Sequence, residues 1–403
     1  MCIRDRSWTY TFDDSDWTNN HLYWINTQAE DKGGNYELNY GTTVFTFDTQ
    51  EPDSTISTPT AGGYYSLVKP LNAIKGGASD NASGVKFVEV RIKRGTSPPY
   101  WNGITWVDVS TFTLTTGTTS WIYTNIPEWV NGENYTINSR ATDNVDVAEV
   151  SISTVTFTYD TSKPTSTVVM PAGGGKYGSM DELSGTAEDA VSGVDFVEIT
   201  IQEPGGKYWD ADSSTWTASV KWLLANYNKV TEIWTYNSSS VTWLNNNTYT
   251  IKTRAQDNAK NAETVYGEAS FTYDTEYPSS GITTPGAADN RSSLATVSGT
   301  SSDTQEVTGV NIRIEKVGVG YWDGASWKSY STWFSAVASD GDGFGEASED
   351  WKYDVNFPTS PWEHNKNYKI KARATDTVGH TESGSEVSFT FDTQGPDSTI
   401  SSP

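Results

Sequence analysis

The stretch FDTQEPDSTISTP, from Phe47 to Pro59, returns almost unchanged as FDTQGPDSTISSP, from Phe391 to Pro403. Between these two copies the core of the phrase recurs as YDTSKP from Tyr159 and as YDTEYP from Tyr273. The four Asp residues of the phrase are Asp48, Asp160, Asp274 and Asp392, and they are separated by 112, 114 and 118 residues. A spacing that holds along the whole chain predicts a tandem array of one unit of about 115 residues.

This period divides the 403 residues into three whole units and two partial ones. We expect residues 1–50 to be the C-terminal half of a unit, because SWTYT from Ser7 matches SWIYT from Ser120. The six residues before Ser7, MCIRDR, match no unit and are expected to be foreign to the array. The whole units are predicted at 51–163, 164–277 and 278–395, and residues 396–403 are predicted to form the first strand of a following unit.

Within one unit the pattern of apolar residues is that of β-strands. Residues 85–92 (VKFVEVRI) and 135–141 (YTINSRA) largely alternate between apolar and polar side chains, as half-buried strands do. Clusters of Gly, Asn, Asp, Ser and Pro separate these runs, and such residues favour turns. No long pattern of 3.6-residue period is present. The fold class is therefore predicted to be all-β, with each unit a β-sandwich.

Composition limits the functions that this chain can have. A formal net charge of −24 argues against nucleic acid and anionic membranes as partners. A single Cys excludes an intrachain disulfide, and no apolar run approaches the roughly 18 residues of a membrane helix. The three His residues do not recur from unit to unit, and no catalytic triad, zinc motif or phosphate loop is present. We therefore expect a non-enzymatic segment that needs no cofactor and does not insert into a membrane.

Three recurring motifs carry a resemblance to a known family. They are LSGTAED from Leu183 with VSGTSSD from Val297, SRATDNV from Ser139 with TRAQDNAKN from Thr253, and the FT(F/Y)DTxxP phrase. Together they resemble the bacterial Ig-like repeats of large secreted and surface-attached proteins, over the chain from Ser7 onward. The resemblance implies tandem Ig-like β-sandwiches in a prokaryotic extracellular or cell-surface protein. Its implied role is mechanical, as a stalk, a fibre or the body of a filament.

Two alternatives to the mechanical role stay open. The chain could be an adhesin arm that binds saccharide, or it could supply the spacer domains of a secreted hydrolase. The expected partners are neighbouring repeats, or copies of the same chain in a fibre, and glycans under the adhesin interpretation.

Each unit also carries a tryptophan-rich insert that predicts a β-hairpin. It reads YWNGITW from Tyr100, YWDADSSTW from Tyr208 and YWDGASW from Tyr321, and Asn-Gly and Asp-Gly steps favour tight hairpin turns. These Trp residues could stack on saccharide or form a subunit contact, or they could be cross-strand pairs that stabilise the hairpin. The residues concerned are Trp101, Trp106, Trp209, Trp216, Trp322 and Trp327.

Three columns of aspartates recur from unit to unit, and oxygen-rich clusters at the ends of sandwiches can bind Ca²⁺. The alternative is a local role, in which each Asp caps a turn through its own backbone. The candidate ligands are Asp48, Asp80, Asp143, Asp160, Asp189, Asp257, Asp274, Asp303 and Asp376.

Two further patterns complete the sequence-based expectations. A Tyr recurs at Tyr23, Tyr135, Tyr249 and Tyr368, in each case eight residues before an Asp (Asp31, Asp143, Asp257 and Asp376). This Tyr predicts either the tyrosine corner of Ig-type sandwiches or a plain cross-strand aromatic residue. Five sequons are candidate glycosylation sites, at Asn81, Asn134, Asn237, Asn246 and Asn290.

Overall fold

The computed structural model describes residues 7–355 and 360–401. The hexapeptide predicted to be foreign lies outside these residues, as do the last two of the residues expected to start another unit. The described chain is all-β, as the alternating runs predict, and one 3-10 helix of three residues lies near its start. No helix within these two ranges is long and apolar enough to span a membrane.

The strands of the described residues repeat in one order. The opening segment has a 3-10 helix at Asp14–Asp16, β1 at His21–Thr27 and β2 at Gly41–Phe47. The first whole repeat has β3 (Asp53–Thr58), β4 (Gly63–Tyr65), β5 (Ile74–Ser79), β6 (Val85–Arg94), β7 (Tyr100–Trp101), β8 (Trp106–Val107), β9 (Thr113–Leu114), β10 (Ser120–Tyr123), β11 (Asn134–Asp143) and β12 (Ser153–Tyr159). The second has β13 (Thr165–Met170), β14 (Gly175–Tyr177), β15 (Glu182–Glu188), β16 (Val194–Gln202), β17 (Tyr208–Asp210), β18 (Thr215–Thr217), β19 (Leu223–Leu224), β20 (Asn226–Asn228), β21 (Ile233–Asn237), β22 (Asn247–Asp257) and β23 (Gly267–Tyr273). The third has β24 (Ser279–Thr284), β25 (Asn290–Arg291), β26 (Thr296–Ser302), β27 (Val307–Lys316), β28 (Gly320–Trp322), β29 (Trp327–Lys328), β30 (Phe334–Ser335), β31 (Val337–Ala338), β32 (Ser348–Asp354), β33 (Lys366–Asp376) and β34 (Ser385–Phe391).

Each whole repeat forms two sheets with Ig-like connectivity. In the first repeat the small sheet has the order β10-β5-β3, and the large sheet has the order β4-β12-β11-β6-β7-β8 with β9 beside β6. The first strand of the repeat pairs antiparallel with β5, and the chain then crosses so that β4 pairs parallel with β12. The large sheets of the second and third repeats, β14-β23-β22-β16-β17-β18 and β25-β34-β33-β27-β28-β29, have the same order. This division into A-B-E and C-F-G sheets is that of immunoglobulin-type sandwiches.

By spatial contact the chain divides into two compact units. One comprises residues 1–165, 188–196 and 255–264, and the other comprises residues 166–187, 197–254 and 265–403. The first unit thus includes two short segments of the second repeat together with the whole of the first repeat.

A buried Trp from the small sheet lies at the centre of the core in the first repeat. Trp121 on β10 is 2% exposed and packs with Ile74 of its own sheet and with Val90 and Ile137 of the large sheet. Its indole Nε1–H donates to the carbonyl oxygen of Gly77 at 3.0 Å, so the only polar atom of the ring is satisfied. Trp351 is equally central to the core of the third repeat, and Trp234 is fully buried in the second.

The recurring Tyr residues form tyrosine corners. The hydroxyl oxygen of Tyr135 accepts a hydrogen bond from the backbone N–H of Val130 at 2.9 Å. The same bond, from the N–H five residues upstream, is present at Tyr23, Tyr249 and Tyr368. Of the two interpretations left open by the sequence, the tyrosine corner is confirmed.

Removing one of these hydroxyls is expected to destabilise its repeat. Tyr368 is fully buried, and its hydroxyl accepts from Glu363 N–H and donates to the carbonyl oxygen of Pro361 at 3.1 Å. Tyr368→Phe leaves both backbone groups without this partner, and we expect a loss of about 1–3 kcal/mol in the free energy of unfolding. Urea unfolding of the third repeat measures it. The matched variant Tyr330→Phe, at an exposed ring of the same repeat, should change the midpoint little; an equal loss in both variants would contradict the assignment.

The Trp-rich insert is a hairpin in each whole repeat, as predicted. Trp101 pairs with Trp106 across β7 and β8, Trp209 with Trp216 across β17 and β18, and Trp322 with Trp327 across β28 and β29. The two rings of each pair contact edge to face.

Residues 396–401 form no strand in this chain, although the sequence predicted the first strand of a unit there. The matching residues in the first repeat, β3, obtain their backbone hydrogen bonds from β5. No strand among the described residues pairs with 396–401, and an extended segment without such a partner has no ladder to join.

Candidate functional site

The recurring aspartates meet where one repeat runs into the next. In each repeat junction the first Asp follows the last strand of the preceding repeat, the second follows the second strand of the small sheet, and the third ends the long strand that carries the tyrosine corner. We call these junctions joint 1, joint 2 and joint 3. Joint 1 is formed by Asp48, Asp80 and Asp143; joint 2 by Asp160, Asp189 and Asp257; joint 3 by Asp274, Asp303 and Asp376.

The carboxylates of joints 1 and 2 approach one another closely. In each of these joints one carboxylate oxygen from every Asp lies within 4.8 Å of the other two, and no other group of three acidic, His or Cys side chains in the described chain does so. The first and third Asp of both joints are buried, and the second is half-buried. The sequence therefore identified the residues that the fold brings together.

At joint 1, each Asp uses part of its carboxylate to hold a turn. Asp143 Oδ1 accepts from the N–H groups of Val145 and Val147 at 3.0 and 2.8 Å. Asp80 Oδ2 accepts from Gly84 N–H at 2.7 Å, and Asp48 Oδ2 accepts from Ser83 N–H at 2.9 Å. The bonds to Asp143 and Asp80 are the turn-capping bonds that the sequence offered as the alternative to metal binding. The corresponding bond of Asp48 runs from Gln50 N–H to Oδ1 at 3.0 Å, whereas Ser83 lies in the next repeat.

The turn-capping bonds leave two buried oxygens of joint 1 without a hydrogen bond. These are Asp80 Oδ1 and Asp143 Oδ2. Asp143 is 0% exposed, so bulk solvent does not reach its free oxygen. No Lys or Arg in the described ranges forms an ion pair with any Asp of the three joints. A buried carboxylate oxygen without a donor or a counter-charge is unfavourable, and either a hydrogen-bond donor or a cation would satisfy it.

Joint 2 has an amide where joint 1 has an aliphatic side chain. Asn261 stands four residues after Asp257, in the position that Val147 occupies after Asp143. Its side-chain Nδ2 donates to Asp257 Oδ2 at 2.7 Å and to the backbone carbonyl oxygen of Asp160 at 2.9 Å. The amide therefore connects two repeats and supplies hydrogen atoms to the cluster.

Joint 3 has an imidazole in that position. His380 Nδ1 lies 3.0 Å from Asp376 Oδ2 and 2.8 Å from the backbone carbonyl oxygen of Glu276, and the ring stacks on Tyr277. Both neighbours of Nδ1 are acceptors, so this nitrogen carries a hydrogen atom. Two oxygens of joint 3, on Asp274 and Asp303, have no hydrogen bond.

Burial and like charge act on the ionisation of these groups. At joint 2, burial and the charges of Asp160 and Asp189 raise the pKa of Asp257 above its ordinary value, although Asn261 opposes the shift. At joint 3, burial and the neighbouring carboxylates likewise raise the pKa of Asp274. Asp48 of joint 1 differs: burial would raise its pKa, but hydrogen bonds from Ser83 and Gln50 outweigh burial and lower it. Joint 1 thus keeps this carboxylate in its charged form.

A Glu in each repeat, buried in the first two and half-buried in the third, was not among the residues predicted from the sequence. Glu149 is 4% exposed, and its carboxylate accepts from Ala141 N–H at 2.9 Å and from Ser54 N–H at 3.2 Å. It therefore ties the first strand of the repeat to β11, the strand that ends at joint 1. Glu263 and Glu382 make the same bond to Ala255 and Ala374. The signal was present, since all three Glu residues stand six residues after the third Asp of their joint.

The insert tryptophans differ in how much ring they expose. Trp209 and Trp322 are 1% and 3% exposed, so protein covers the ring faces that a saccharide would need. Trp101, Trp106, Trp216 and Trp327 are half-buried. Trp106 and Trp216 also lie against the tyrosine-corner rings, 6.1 Å from Tyr135 and 5.6 Å from Tyr249 between centroids.

All five sequon asparagines are exposed. Asn81 Nδ2 donates to Gln50 at 2.5 Å, across joint 1, and Asn246 contacts Gln305. Modification of either side chain would replace a contact between successive repeats. The remaining three are Asn134, Asn237 and Asn290.

Among known proteins, only solved structures give matches to this chain. No family model matches the chain, and no curated protein matches it in sequence. Among solved structures, the fibronectin(III)-like modules of Clostridium thermocellum CbhA are similar at 14% identity, over 55% of this chain and 94% of theirs, with a TM-score of 0.28. The FN1–FN3 domains of chicken CNTN1 match at 14% identity, over 84% of this chain and 98% of theirs, with a TM-score of 0.25.

A third similar structure is dimeric latent PorU from Porphyromonas gingivalis, at 11% identity over 87% of this chain and 35% of that one, with a TM-score of 0.19. All three TM-scores are below 0.5. The assignment of this chain to Ig-like sandwich repeats therefore rests on its own strand order, strand register and tyrosine corners.

Proposed function

We propose that this chain is a non-enzymatic structural segment of a long extracellular protein, in which the repeats form a stalk, a fibre or the body of a filament at a cell surface. The observation that carries the proposal is that successive repeats are tied together by polar contacts at their joints, which are buried at joint 2 and partly exposed at joint 3. A mechanical spacer needs such contacts, because a free linker between sandwiches would bend.

Joint 2 shows how the contacts are made. The hydroxyl of Ser66, in the first repeat, donates to the backbone carbonyl oxygen of Ala259, in the second repeat, at 2.7 Å. Ser66 is 0% exposed, and Asn261 makes a second buried bond between the same two repeats. A buried hydrogen bond fixes the relative direction of the groups that it joins, since breaking it leaves both groups desolvated.

Joint 3 is tied by different residues. Besides the bond of His380 to Glu276, Lys176 of the second repeat forms an ion pair with Glu306 of the third at 2.8 Å. The Lys176 side chain is 18% exposed and that of Glu306 41%, so solvent screens part of this pair. Polar contacts between successive repeats therefore recur at joints 2 and 3, although different residues make them. This recurrence favours an architectural role over a single catalytic site.

The saccharide-binding alternative has less support in the insert, because two of its six tryptophans are buried. Only the half-buried rings could offer a face to a sugar, and three of these four, Trp106, Trp216 and Trp327, pack on tyrosine. The intrinsic Trp fluorescence of the chain during titration with a panel of glycans separates the two functions. The structural role predicts no shift, and a saturable shift that Trp101→Phe and Trp327→Phe abolish would favour the adhesin.

Negative-stain microscopy of the purified chain tests the structural role. We expect extended particles in which consecutive repeats are in line, and lateral or end-to-end association at high concentration if the chain is a filament body. Particles folded back on themselves, with repeats at variable angles, would contradict a mechanical spacer, because the joints would then be too weak to transmit force.

A further inference from the structure

Each of the three joints has the same set of three aspartates, but the side chain beside the third Asp differs from joint to joint. The residue four positions after the third Asp is Val147 at joint 1, Asn261 at joint 2 and His380 at joint 3. Asn261 and His380 each place a nitrogen within hydrogen-bond distance of the third Asp and of a backbone carbonyl oxygen from the preceding repeat. Val147 has no polar side-chain atom and can do neither.

Joint 1 therefore keeps three carboxylates together without the donor that its counterparts have. Its oxygens lie within 4.8 Å of one another, and two of them, Asp80 Oδ1 and Asp143 Oδ2, are buried without a hydrogen bond. Joint 2 has the close approach but has Asn261 in place, and joint 3 has the imidazole. Joint 1 alone, among the joints described, combines the close approach with free buried oxygens and no nitrogen donor.

We propose that the Asp48–Asp80–Asp143 cluster of joint 1 binds one Ca²⁺ ion, and that the Asn261 amide and the His380 imidazole stand in for this cation at joints 2 and 3. The ligand set is oxygen only, which suits a hard cation and not Zn²⁺ or Cu²⁺. Three carboxylates held by loop turns suit the flexible coordination of Ca²⁺ better than the strict octahedron of Mg²⁺, and water completes the shell.

Binding at this site would connect two repeats. Asp48 belongs to the phrase that ends the opening segment, whereas Asp80 and Asp143 belong to the first whole repeat. Asp80 and Asp143 each cap a turn with one oxygen and have the other without a hydrogen bond, so the turn-capping role and the metal-binding role are compatible. An ion shared by the two sides would replace the interaction that Asn261 makes at joint 2.

Calorimetric titration of CaCl₂ into the EDTA-treated full chain tests the proposal. We expect one Ca²⁺ per chain, with a dissociation constant on the order of 0.1–1 mM, as is usual for extracellular modules, and weaker binding of MgCl₂. Asp143→Asn should weaken Ca²⁺ binding at least tenfold. The matched control is Asp108→Asn, at an exposed Asp of the same repeat, which should leave affinity and stoichiometry unchanged.

A second pair of variants exchanges the residues that stand four positions after the third Asp, Val147 at joint 1 and Asn261 at joint 2. These variants keep the test independent of any folding defect in Asp143→Asn. Val147→Asn retains all three carboxylates and imports the donor of joint 2, so it should abolish Ca²⁺ binding while near-ultraviolet circular dichroism stays native. Asn261→Val should open joint 2 and raise the count to two Ca²⁺ per chain. A wild-type chain that binds no Ca²⁺ at 10 mM would overturn the proposal. So would binding that survives both Asp143→Asn and Val147→Asn, or a count that Asn261→Val leaves at one.

Discussion

Gly299→Ala is expected to unfold the third repeat or to lower its free energy of unfolding by about 3 kcal/mol or more, which is the upper end of the loss that overpacking a core causes. A Cβ on Gly299 would lie 1.9 Å from the backbone carbonyl oxygen of Gly281 and 2.4 Å from Cζ2 of Trp351. The carbonyl belongs to the neighbouring strand β24 and the indole is fully buried. Neither can move without opening the sheet or expelling the ring, so the substitution cannot be absorbed locally.

Hydrogen exchange of peptides that cover β26 and β32, read by mass spectrometry, measures this loss in the third repeat alone. The control is Gly309→Ala in β27 of the same repeat, where an added Cβ meets nothing within 4 Å. Protection that falls in Gly299→Ala and persists in Gly309→Ala is the expected pattern. Unchanged protection in Gly299→Ala would show that the indole does not pack against this strand. Gly76 and Gly185 have the same surroundings, with Trp121 and Trp234 as their neighbours.

Trp121→Ala is expected to lower the free energy of unfolding of the first repeat by about 3–5 kcal/mol, the usual cost of truncating a buried aromatic side chain to Ala. The ring is 2% exposed and packs between the two sheets. Its loss leaves a large cavity and removes the bond from Nε1–H to Gly77. A second, smaller contribution comes from the Gly77 carbonyl, which loses the indole donor and keeps the Thr55 hydroxyl at 3.3 Å.

Trp8, the residue of the opening segment that corresponds to Trp121, supplies the control for this prediction. Trp8 matches Trp121 in sequence but is 67% exposed in the opening segment, so Trp8→Ala should change stability by less than about 0.5 kcal/mol. Guanidinium unfolding, followed by far-ultraviolet circular dichroism of both variants, gives the two values. Similar losses in the two variants would mean that sequence position, and not burial, determines the contribution of this Trp.

Several features of the fold could be predicted because they follow from local pattern. The repeat period, the all-β class and the insert hairpins all depend on residues close in sequence, such as the alternation around Val88 and the Asn102-Gly103 step. Gly103 indeed has a positive φ of 95°, which Gly adopts without strain. The tyrosine corner also depends on a contact only five residues away.

Features that depend on distant contacts were harder to predict. The hairpins of Trp209 and Trp322 extend the large sheet of their repeat, and sequence alone left the burial and the role of these two residues open. The nine Asp residues were selected because they recur, but recurrence could not show that the turn-capping oxygen and the free oxygen belong to the same carboxylate. The contrast among Val147, Asn261 and His380 has meaning only once the structure places all three positions beside their clusters.

Single-molecule force extension of these 403 residues tests the central claim that three repeats of one kind, joined in series, make up most of this segment. We expect three separate unfolding events, each lengthening the chain by on the order of 350 Å, since about 115 extended residues span roughly 400 Å and the folded sandwich already covers part of it. One cooperative event, or two events of unequal length, would contradict a series of independent repeats.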